Sequence, residues 1–220
     1  MSDFFEIDFL GVETSKSGDA IPIRYAIDGL TYIHVVDGGY QETGEQIVDH
    51  IEKYYDNARY IDHVVLTHPD SDHAGGLRKV LEEFEVGTLW MLRPWQYADL
   101  IIDRFANYTS IERLKTELKE AFPNIAALEE IAESLNIPIL EPFQGASIGE
   151  FCVLAPSRGR YLDLLVNSEN TPDSIEETQE SLATKILRKL KTTTESVKHI
   201  RALWGEEIFP SEGTSAENEM

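Results

Sequence analysis

The chain has 220 residues, a formal net charge of −21 at neutral pH and a hydrophobic fraction of 42%. Its length suits one core, or one domain with an appendage, and its composition is too apolar for general disorder. The excess of acidic residues argues against non-specific binding to nucleic acid or to anionic membranes, because the average field repels both.

Neither a membrane span nor a secretory signal is visible. No stretch approaches eighteen uninterrupted apolar residues, and the start, MSDFFEIDFL, has acids where a signal peptide has lysine or arginine. We therefore expect a cytoplasmic protein with no membrane partner. The single cysteine, Cys152, excludes an intramolecular disulfide, and its apolar neighbours predict a buried thiol.

Short β-like runs come first along the chain. Residues 4–12 alternate loosely, and residues 20–27 and 31–36 are rich in β-branched and aromatic side chains. Asp28-Gly29 separates the last two runs and is a strong signal for a two-residue hairpin. The pattern predicts an antiparallel meander.

Strands and helices then alternate. Apolar spacing predicts helices over residues 44–55 and 76–84, and a helical region over 97–135 that is broken near Pro123-Asn124. The predicted strands are residues 63–66, 88–92, 137–140 and 150–154. This order predicts an α/β sheet covered by helices.

The composition changes after Pro156. Residues 168–179 are acidic and interrupted by proline, which predicts a loop or linker. Residues 182–203 predict a basic amphipathic helix with a threonine interruption at 192–194. That helix is either a packed surface element or a docking element for nucleic acid or an acidic partner.

A cluster of potential metal ligands follows the apolar run at 63–66. His68, Asp70 and Asp72 are spaced by two, so they can point to one side of an extended segment, and His73 follows at the bend. Two carboxylates this close, with no lysine or arginine between them, repel each other unless a cation lies among them. The cluster therefore predicts a metal site, the alternative being a polar loop in which aspartate caps the next helix.

The sequence His68-x-Asp70-x-Asp72-His73 followed by two glycines resembles the signature of the metallo-β-lactamase-fold hydrolases, whose usual form is His-x-His-x-Asp-His. With aspartate in place of the second histidine, it is similar to the hydrolase domain of bacterial DNA-uptake channel proteins. Three other segments resemble the family in the same order: Gly18-Asp19-Ala20-Ile21, Val36-Asp37-Gly38-Gly39 and residues 151–156. The resemblance implies a metallo-β-lactamase-type αββα sandwich, represented mainly by its N-terminal part.

Family members take further ligands from the second half of their fold, and none is recognisable here. Asp163 and Asp173 lack the expected strand context, and His199 lies within a helical pattern. We therefore expect a hydrolase-like domain over residues 1–160, followed over 161–220 by a linker, the basic helix and a tail, which either continue the same fold or form an appendage. The site would be completed by a missing C-terminal portion or in a homo-oligomer, or else the chain is a degenerate member.

The chemistry that the resemblance implies is hydrolysis assisted by one or two divalent ions. His68 and Asp70 would bind the first ion, and Asp72 and His73 the second. With a single ion, Asp72 would act as the general base. A carboxylate in place of an imidazole favours manganese or magnesium more than a three-histidine site would, while zinc remains an alternative.

The resemblance favours a phosphodiester substrate, and the acidity of the chain favours a small or single-stranded one. Several basic residues would either contact phosphates or form surface ion pairs: Arg78, Lys79, Arg93, Arg158 and Arg160. Three aromatic residues would either stack on a base or fill the core: Trp90, Trp95 and Tyr97. The alternatives are a lactone or thioester hydrolase, a non-catalytic metal-binding module and a partner-interaction protein.

Overall fold

A computed structural model describes residues 3–12, 18–105 and 108–172, which fall within one compact unit ending at Pro172. The strands are β1 (Phe4–Ile7), β2 (Ala20–Ile27), β3 (Leu30–Gly38), β4 (Tyr60–Val65), β5 (Glu85–Trp90), β6 (Ile139–Leu140), β7 (Ser147–Ile148) and β8 (Phe151–Cys152). The helices are α1 (Thr43–Tyr54), α2 (Ser71–Ala74), α3 (Leu77–Glu83), α4 (Ala98–Ile101), α5 (Ile111–Ala121), α6 (Pro123–Ser134) and α7 (Arg158–Val166). Short 3-10 turns form at Pro94–Tyr97 and Ile102–Arg104.

The first six strands form one sheet in chain order, antiparallel from β1 to β3 and parallel from β3 to β6. The predicted meander is confirmed. Asp28 and Gly29 both have positive φ, 53° and 79°, as the two-residue turn that matches strand twist requires. β1 is shorter than expected, although the backbone N–H groups of Asp8 and Leu10 still donate to β2 carbonyls.

The core lies where α1 and α3 pack against the sheet. Ile47 and Ile51 of α1 and Leu77 of α3 are fully buried in one apolar cluster with Val35 and Val64 from the central strands. Burial of each such side chain stabilises the fold by roughly 1.5–3 kcal/mol. Because β3 to β6 are parallel, the loops after these strands meet at one edge of the sheet, where α/β proteins place their sites.

The predicted break in the long helical region is confirmed at Phe122, which ends α5 and precedes α6. Pro123 starts α6 because its fixed φ suits the first helical position and its missing N–H has no partner there to lose. The mixed α/β fold with a multi-stranded sheet agrees with the predicted fold class.

Two further expectations differ from the structure. Cys152 is exposed rather than buried, because β8 is a two-residue strand of a separate hairpin with β7 and not a strand of the main sheet. The helix α7 was not expected and runs across position 160, so the division between 1–160 and 161–220 stays a prediction.

The predicted basic helix at 182–203 lies outside the described residues, as do Asp173 and His199. Within the described part of the chain, every helix is too short or too polar to cross a membrane.

Candidate metal centre

The ligand loop, defined here as residues 67–73, leaves the sheet after β4 at the shared edge. The N–H of Leu66 still donates to the Trp90 carbonyl at 2.9 Å, so the loop begins from a fixed strand end. Asp70 then stands before α2 with extended backbone angles, and its carbonyl accepts from the N–H groups of His73 and Ala74. The Asp70 side chain makes no capping hydrogen bond, contrary to the alternative of a simple cap, and its carboxylate is left for another partner.

The structure brings the two loop histidines close together, with their ring planes tilted by 49°. The ring centroids of His68 and His73 are 3.7 Å apart. Nε2 of His68 lies 3.8 Å from the Asp70 carboxylate, and Nε2 of His73 lies 3.9 Å from that of Asp72. These separations are too long for hydrogen bonds. They are close to the ~3.4 Å that separates two ligand atoms on one tetrahedral ion at about 2.1 Å.

The two histidine-aspartate pairs are those expected for a first and a second ion. The outer pair, His68 and Asp70, is 43% and 64% exposed, whereas His73 and Asp72 of the inner pair are 10% and 22% exposed. The assignment of His68, Asp70, Asp72 and His73 as ligands, and of Asp72 as the catalytic residue, stays a prediction.

Asp37 is a site residue that the sequence did not single out. It is the extra residue of a β-bulge, since Ala20 pairs with Gly38 while Ile21 pairs with Val36. Its φ of +56° is rare for a residue with a side chain. A bulge re-aims the side chain that it carries, and here the 2%-exposed Asp37 carboxylate lies beneath the ligand loop.

The Asp37 carboxylate orients both histidines. Oδ1 accepts from the Thr67 N–H at 2.8 Å, and Oδ2 accepts from the Thr67 hydroxyl at 2.5 Å and from Nδ1 of His73 at 2.8 Å. With its proton committed to Asp37, the Thr67 hydroxyl accepts from Nδ1 of His68 at 3.0 Å. Both histidines therefore direct Nδ1 toward a hydrogen-bond acceptor and leave Nε2 as the ligand atom, the arrangement that second-shell carboxylates impose on metal-binding histidines.

Asp37, His68 and His73 each offer a ligand atom within 4.8 Å of the others. Because both Asp37 oxygens already accept hydrogen bonds, we assign Asp37 to holding the histidines rather than to ligation. The remaining donors, two imidazole nitrogens and the Asp70 and Asp72 carboxylates, suit a divalent ion.

Two glycines allow Asp37 to reach the loop. A Cβ on Gly76 would lie 2.1 Å from the Gly38 carbonyl oxygen, and a Cβ on Gly38 would lie 2.5 Å from the Leu77 nitrogen. The end of β3 thus packs backbone to backbone against the junction of α2 and α3. The Gly76 N–H donates to the Gly39 carbonyl at 3.2 Å and holds this crossing together.

Asp19 secures the inner pair from the other side. Its N–H donates to the Asp72 carbonyl at 3.3 Å, and its carboxylate lies 3.8 Å from Nδ1 of His73. The segment 18–21, noted in the sequence only for its resemblance, therefore forms one wall of the site.

A family model described as the metallo-beta-lactamase superfamily matches residues 26–98. The match covers about a third of the chain and includes Asp37, the ligand loop and the two glycines that follow it. The six-stranded α/β sheet is consistent with the fold of that superfamily. Among curated proteins, none matches this chain.

A cavity of about 440 Å³ opens beside the loop. It is lined by Asp70 and Asp72 and by uncharged polar side chains, Tyr40, Ser71, Asn124 and Asn170, together with the hydrophobic or proline residues Pro69, Ala121, Phe122 and Pro123. Among the described residues, none of those that line it is a lysine or arginine.

Three of the basic residues proposed to contact phosphates pair with carboxylates. Lys79 pairs with Glu83, Arg93 with Glu129 and Arg158 with Glu141, at N–O distances of 2.7–3.1 Å. The ion-pair alternative is therefore the one that the structure supports for these three.

The three aromatic residues proposed to stack on a base are core residues. Trp90, Trp95 and Tyr97 are at most 8% exposed. The indole N–H of Trp95 donates to Glu129, and the Tyr97 hydroxyl donates to Glu141. Buried polar atoms of aromatic residues need such partners.

Proposed function

We propose that the protein is a metal-dependent hydrolase whose ligand loop binds one or two divalent ions, zinc or manganese, in the cytoplasm. The observation that carries the proposal is the orientation of the two loop histidines. Asp37 and Thr67 fix both Nδ1 atoms, so both Nε2 atoms are free beside Asp70 and Asp72.

The chemistry that a divalent ion supplies when bound is a water whose pKa falls from about 15.7 to near 7. His68 and His73 would offer their Nε2 atoms as ligands, and Asp70 and Asp72 add the negative charge that balances a cation. If one ion binds, Asp72 is the general base, since its carboxylate lines the cavity and can take a proton from a water there.

A small or single-stranded phosphodiester is the leading substrate class. Its support is the resemblance of the His-x-Asp-x-Asp-His signature to the hydrolase domain of DNA-uptake channel proteins. The pairing of Lys79, Arg93 and Arg158 with carboxylates removes the support that these cations would have added.

A lactone or thioester is the second substrate class. The cavity favours it because Tyr40, Ser71, Asn124 and Asn170 offer hydrogen bonds without positive charge. In either case a second copy of the chain, or residues beyond those described, would supply further ligands.

Elemental analysis of the purified protein, followed by titration with Mn²⁺ and Zn²⁺, tests the metal site. We expect stoichiometric metal in the wild type and at least a hundredfold weaker binding in His68→Ala and Asp72→Ala, since each variant removes a ligand. His50→Ala is the matched control, because His50 lies on α1 and pairs with Asp8 away from the loop.

Hydrolysis of a chromogenic phosphodiester, a lactone and a thioester, measured with each metal, tests the activity. Turnover that disappears in His68→Ala and persists in His50→Ala would support the hydrolase and identify its substrate class. Metal binding without turnover of any substrate would instead support a non-catalytic metal-binding module. A wild type that binds neither metal would overturn the proposal in favour of a partner-interaction protein.

A further inference from the structure

Asn124 connects the ligand loop to a helix that contributes no predicted ligand. It is the second residue of α6, and its side-chain amide donates from Nδ2 to the Pro69 carbonyl at 3.0 Å. Pro69 lies between His68 and Asp70, the outer pair of predicted ligands. The contact spans 55 positions of sequence, and α6 packs against both α2 and α3.

Arg78 fixes the direction of this amide. Its Nη2 donates to Oδ1 of Asn124 at 3.0 Å. Because a guanidinium can only donate, the oxygen of Asn124 must face Arg78, and the NH2 group must face Pro69. The buried Nε of Arg78 has no hydrogen-bond partner within the described residues.

The Pro69 carbonyl belongs to the peptide plane that joins Pro69 to Asp70. Holding that oxygen fixes the ψ of Pro69 and limits rotation of the plane from which Asp70 extends. Asn124 also lines the cavity beside Asp70 and Asp72. The amide therefore acts on the loop at the point where the outer ligand pair meets the cavity.

We infer that Asn124 is a positioning residue that sets the geometry of His68 and Asp70 through the Pro69 carbonyl, with Arg78 fixing its amide. The expected effect of Asn124 on metal binding rests on the proposed function. Its structural part, the restraint of the loop, can be measured without any metal.

Asn124→Asp is designed to remove the hydrogen bond to Pro69 while the fold is retained. An aspartate keeps the contact with Arg78 and is favourable in the first turn of a helix. It has no donor for Pro69 and places an oxygen against the carbonyl. Asn170→Asp is the matched control, since it adds the same charge to the rim of the same cavity without a contact to the loop.

Two measurements decide the inference. Amide hydrogen exchange of a peptide covering residues 66–73, followed by mass spectrometry without metal, should be several-fold faster in Asn124→Asp than in Asn170→Asp. The Mn²⁺ affinity should fall at least tenfold in Asn124→Asp relative to Asn170→Asp, with thermal midpoints that stay close together. Asn124→Ala, which removes both hydrogen bonds, should show the same faster exchange.

Equal loop exchange in Asn124→Asp and Asn170→Asp would overturn the positioning role. Faster exchange with unchanged Mn²⁺ affinity would overturn its link to the ligands. If the wild type binds no metal, the proposed function fails, and the exchange comparison still decides whether Asn124 restrains the loop.

Discussion

Two close pairs of histidines lie in different environments within the part of the chain that the structure describes. His34 and His63 are neighbours on β3 and β4, with perpendicular rings whose centroids are 4.7 Å apart. His68 and His73 stand just beyond the end of β4, with ring centroids 3.7 Å apart. We call these the interior pair and the edge pair.

The interior pair is surrounded by aromatic groups. Nε2 of His34 lies 3.2 Å from the Tyr25 hydroxyl, Phe151 packs on its ring, and Nδ1 of His63 accepts from the Trp90 indole at 3.2 Å. Burial lowers the pKa of His34 to about 3, with a further contribution from His63. Burial also lowers the pKa of His63, opposed by the charge of Asp62.

The edge pair has carboxylates in place of aromatic groups. In both pairs, each histidine has one ring nitrogen fixed by a hydrogen bond. The pairs differ in the groups that face the other ring nitrogen. The two histidines on adjacent strands of the sheet are therefore disfavoured in their charged form by burial, which lowers both pKa values, whereas the two that follow the end of β4 are turned toward carboxylates.

Gly76→Ala should have the largest effect on the protein, because it disturbs the backbone crossing beneath the edge pair. The new Cβ would lie 2.1 Å from the Gly38 carbonyl oxygen, which belongs to the backbone and cannot rotate away. We expect a loss of more than about 4 kcal/mol in the free energy of unfolding, measured by urea titration, or no folded protein.

Gly159→Ala is the control for Gly76→Ala. A Cβ there meets no atom within 4 Å, and Gly159 lies in α7. It should stabilise the protein by less than about 1 kcal/mol. Equal unfolding curves for the two variants would contradict the role given to the glycine crossing.

Acid should destabilise the folded protein through protonation of His34 in the interior pair. The folded pKa of His34, about 3, lies below the value near 6.5 expected in the unfolded chain, so the unfolded state binds more protons between these values. The stability from neutral His34 is present in full above pH 6.5 and is lost as the pH falls toward 3. Between pH 7 and pH 4.5 this loss is about 2–3 kcal/mol.

His34→Phe tests the source of that acid sensitivity. Phenylalanine retains an aromatic ring and cannot take up a proton, so the decrease in unfolding free energy between pH 7 and pH 4.5 should be smaller than in the wild type by about 2–3 kcal/mol. Urea unfolding at both pH values gives the comparison. An unchanged decrease would assign the acid sensitivity to other groups, among them His63, whose pKa is also lowered by burial, and the carboxylates.

Asp37→Asn should have the smallest of the three effects, a weaker binding of metal at the edge pair. An amide NH2 in place of Oδ2 would face the Nδ1–H of His73, and relief of that conflict moves the proton to Nε2, the nitrogen that faces Asp72. We expect Mn²⁺ affinity to fall by tenfold or more, about 1.4 kcal/mol, in a calorimetric titration.

Asp62→Asn is the matched control for Asp37→Asn. It removes the same charge from the neighbouring strand, where Asp62 accepts from the Ile33 N–H at 2.8 Å and has no contact with the edge pair. Its Mn²⁺ affinity should stay within about twofold of the wild-type value. Equal losses in the two variants would show that charge alone, rather than histidine orientation, controls the site.

Features set by local physics could be predicted from the sequence. The hairpin at Asp28-Gly29 depends on two residues that tolerate positive φ, and the break at Pro123 depends on a missing N–H and a fixed φ. The ligand loop stood out because four potential ligands occur within six positions. Ser157, whose hydroxyl accepts from the Arg160 N–H, is a helix-start signal that would have revealed α7.

Features set by the pairing of distant segments could not be predicted in this way. The role of Asp37 depends on a bulge created by the register of β3 against Ala20 and Ile21 of β2, which the sequence of β3 does not encode by itself. The exposure of Cys152 depends on β8 pairing with β7 instead of joining the main sheet. The contact of Asn124 with Pro69 likewise depends on how α6 packs.

The exposed position of Cys152 makes the chain suitable for site-specific labelling. It is the single cysteine in the sequence, and its neighbour Phe151 packs on His34. A nitroxide or fluorophore attached to this thiol would sit beside the interior pair without any engineered mutation. Such a label would follow displacement of the hairpin during acid titration, and its relaxation by bound Mn²⁺ would give the distance to the metal.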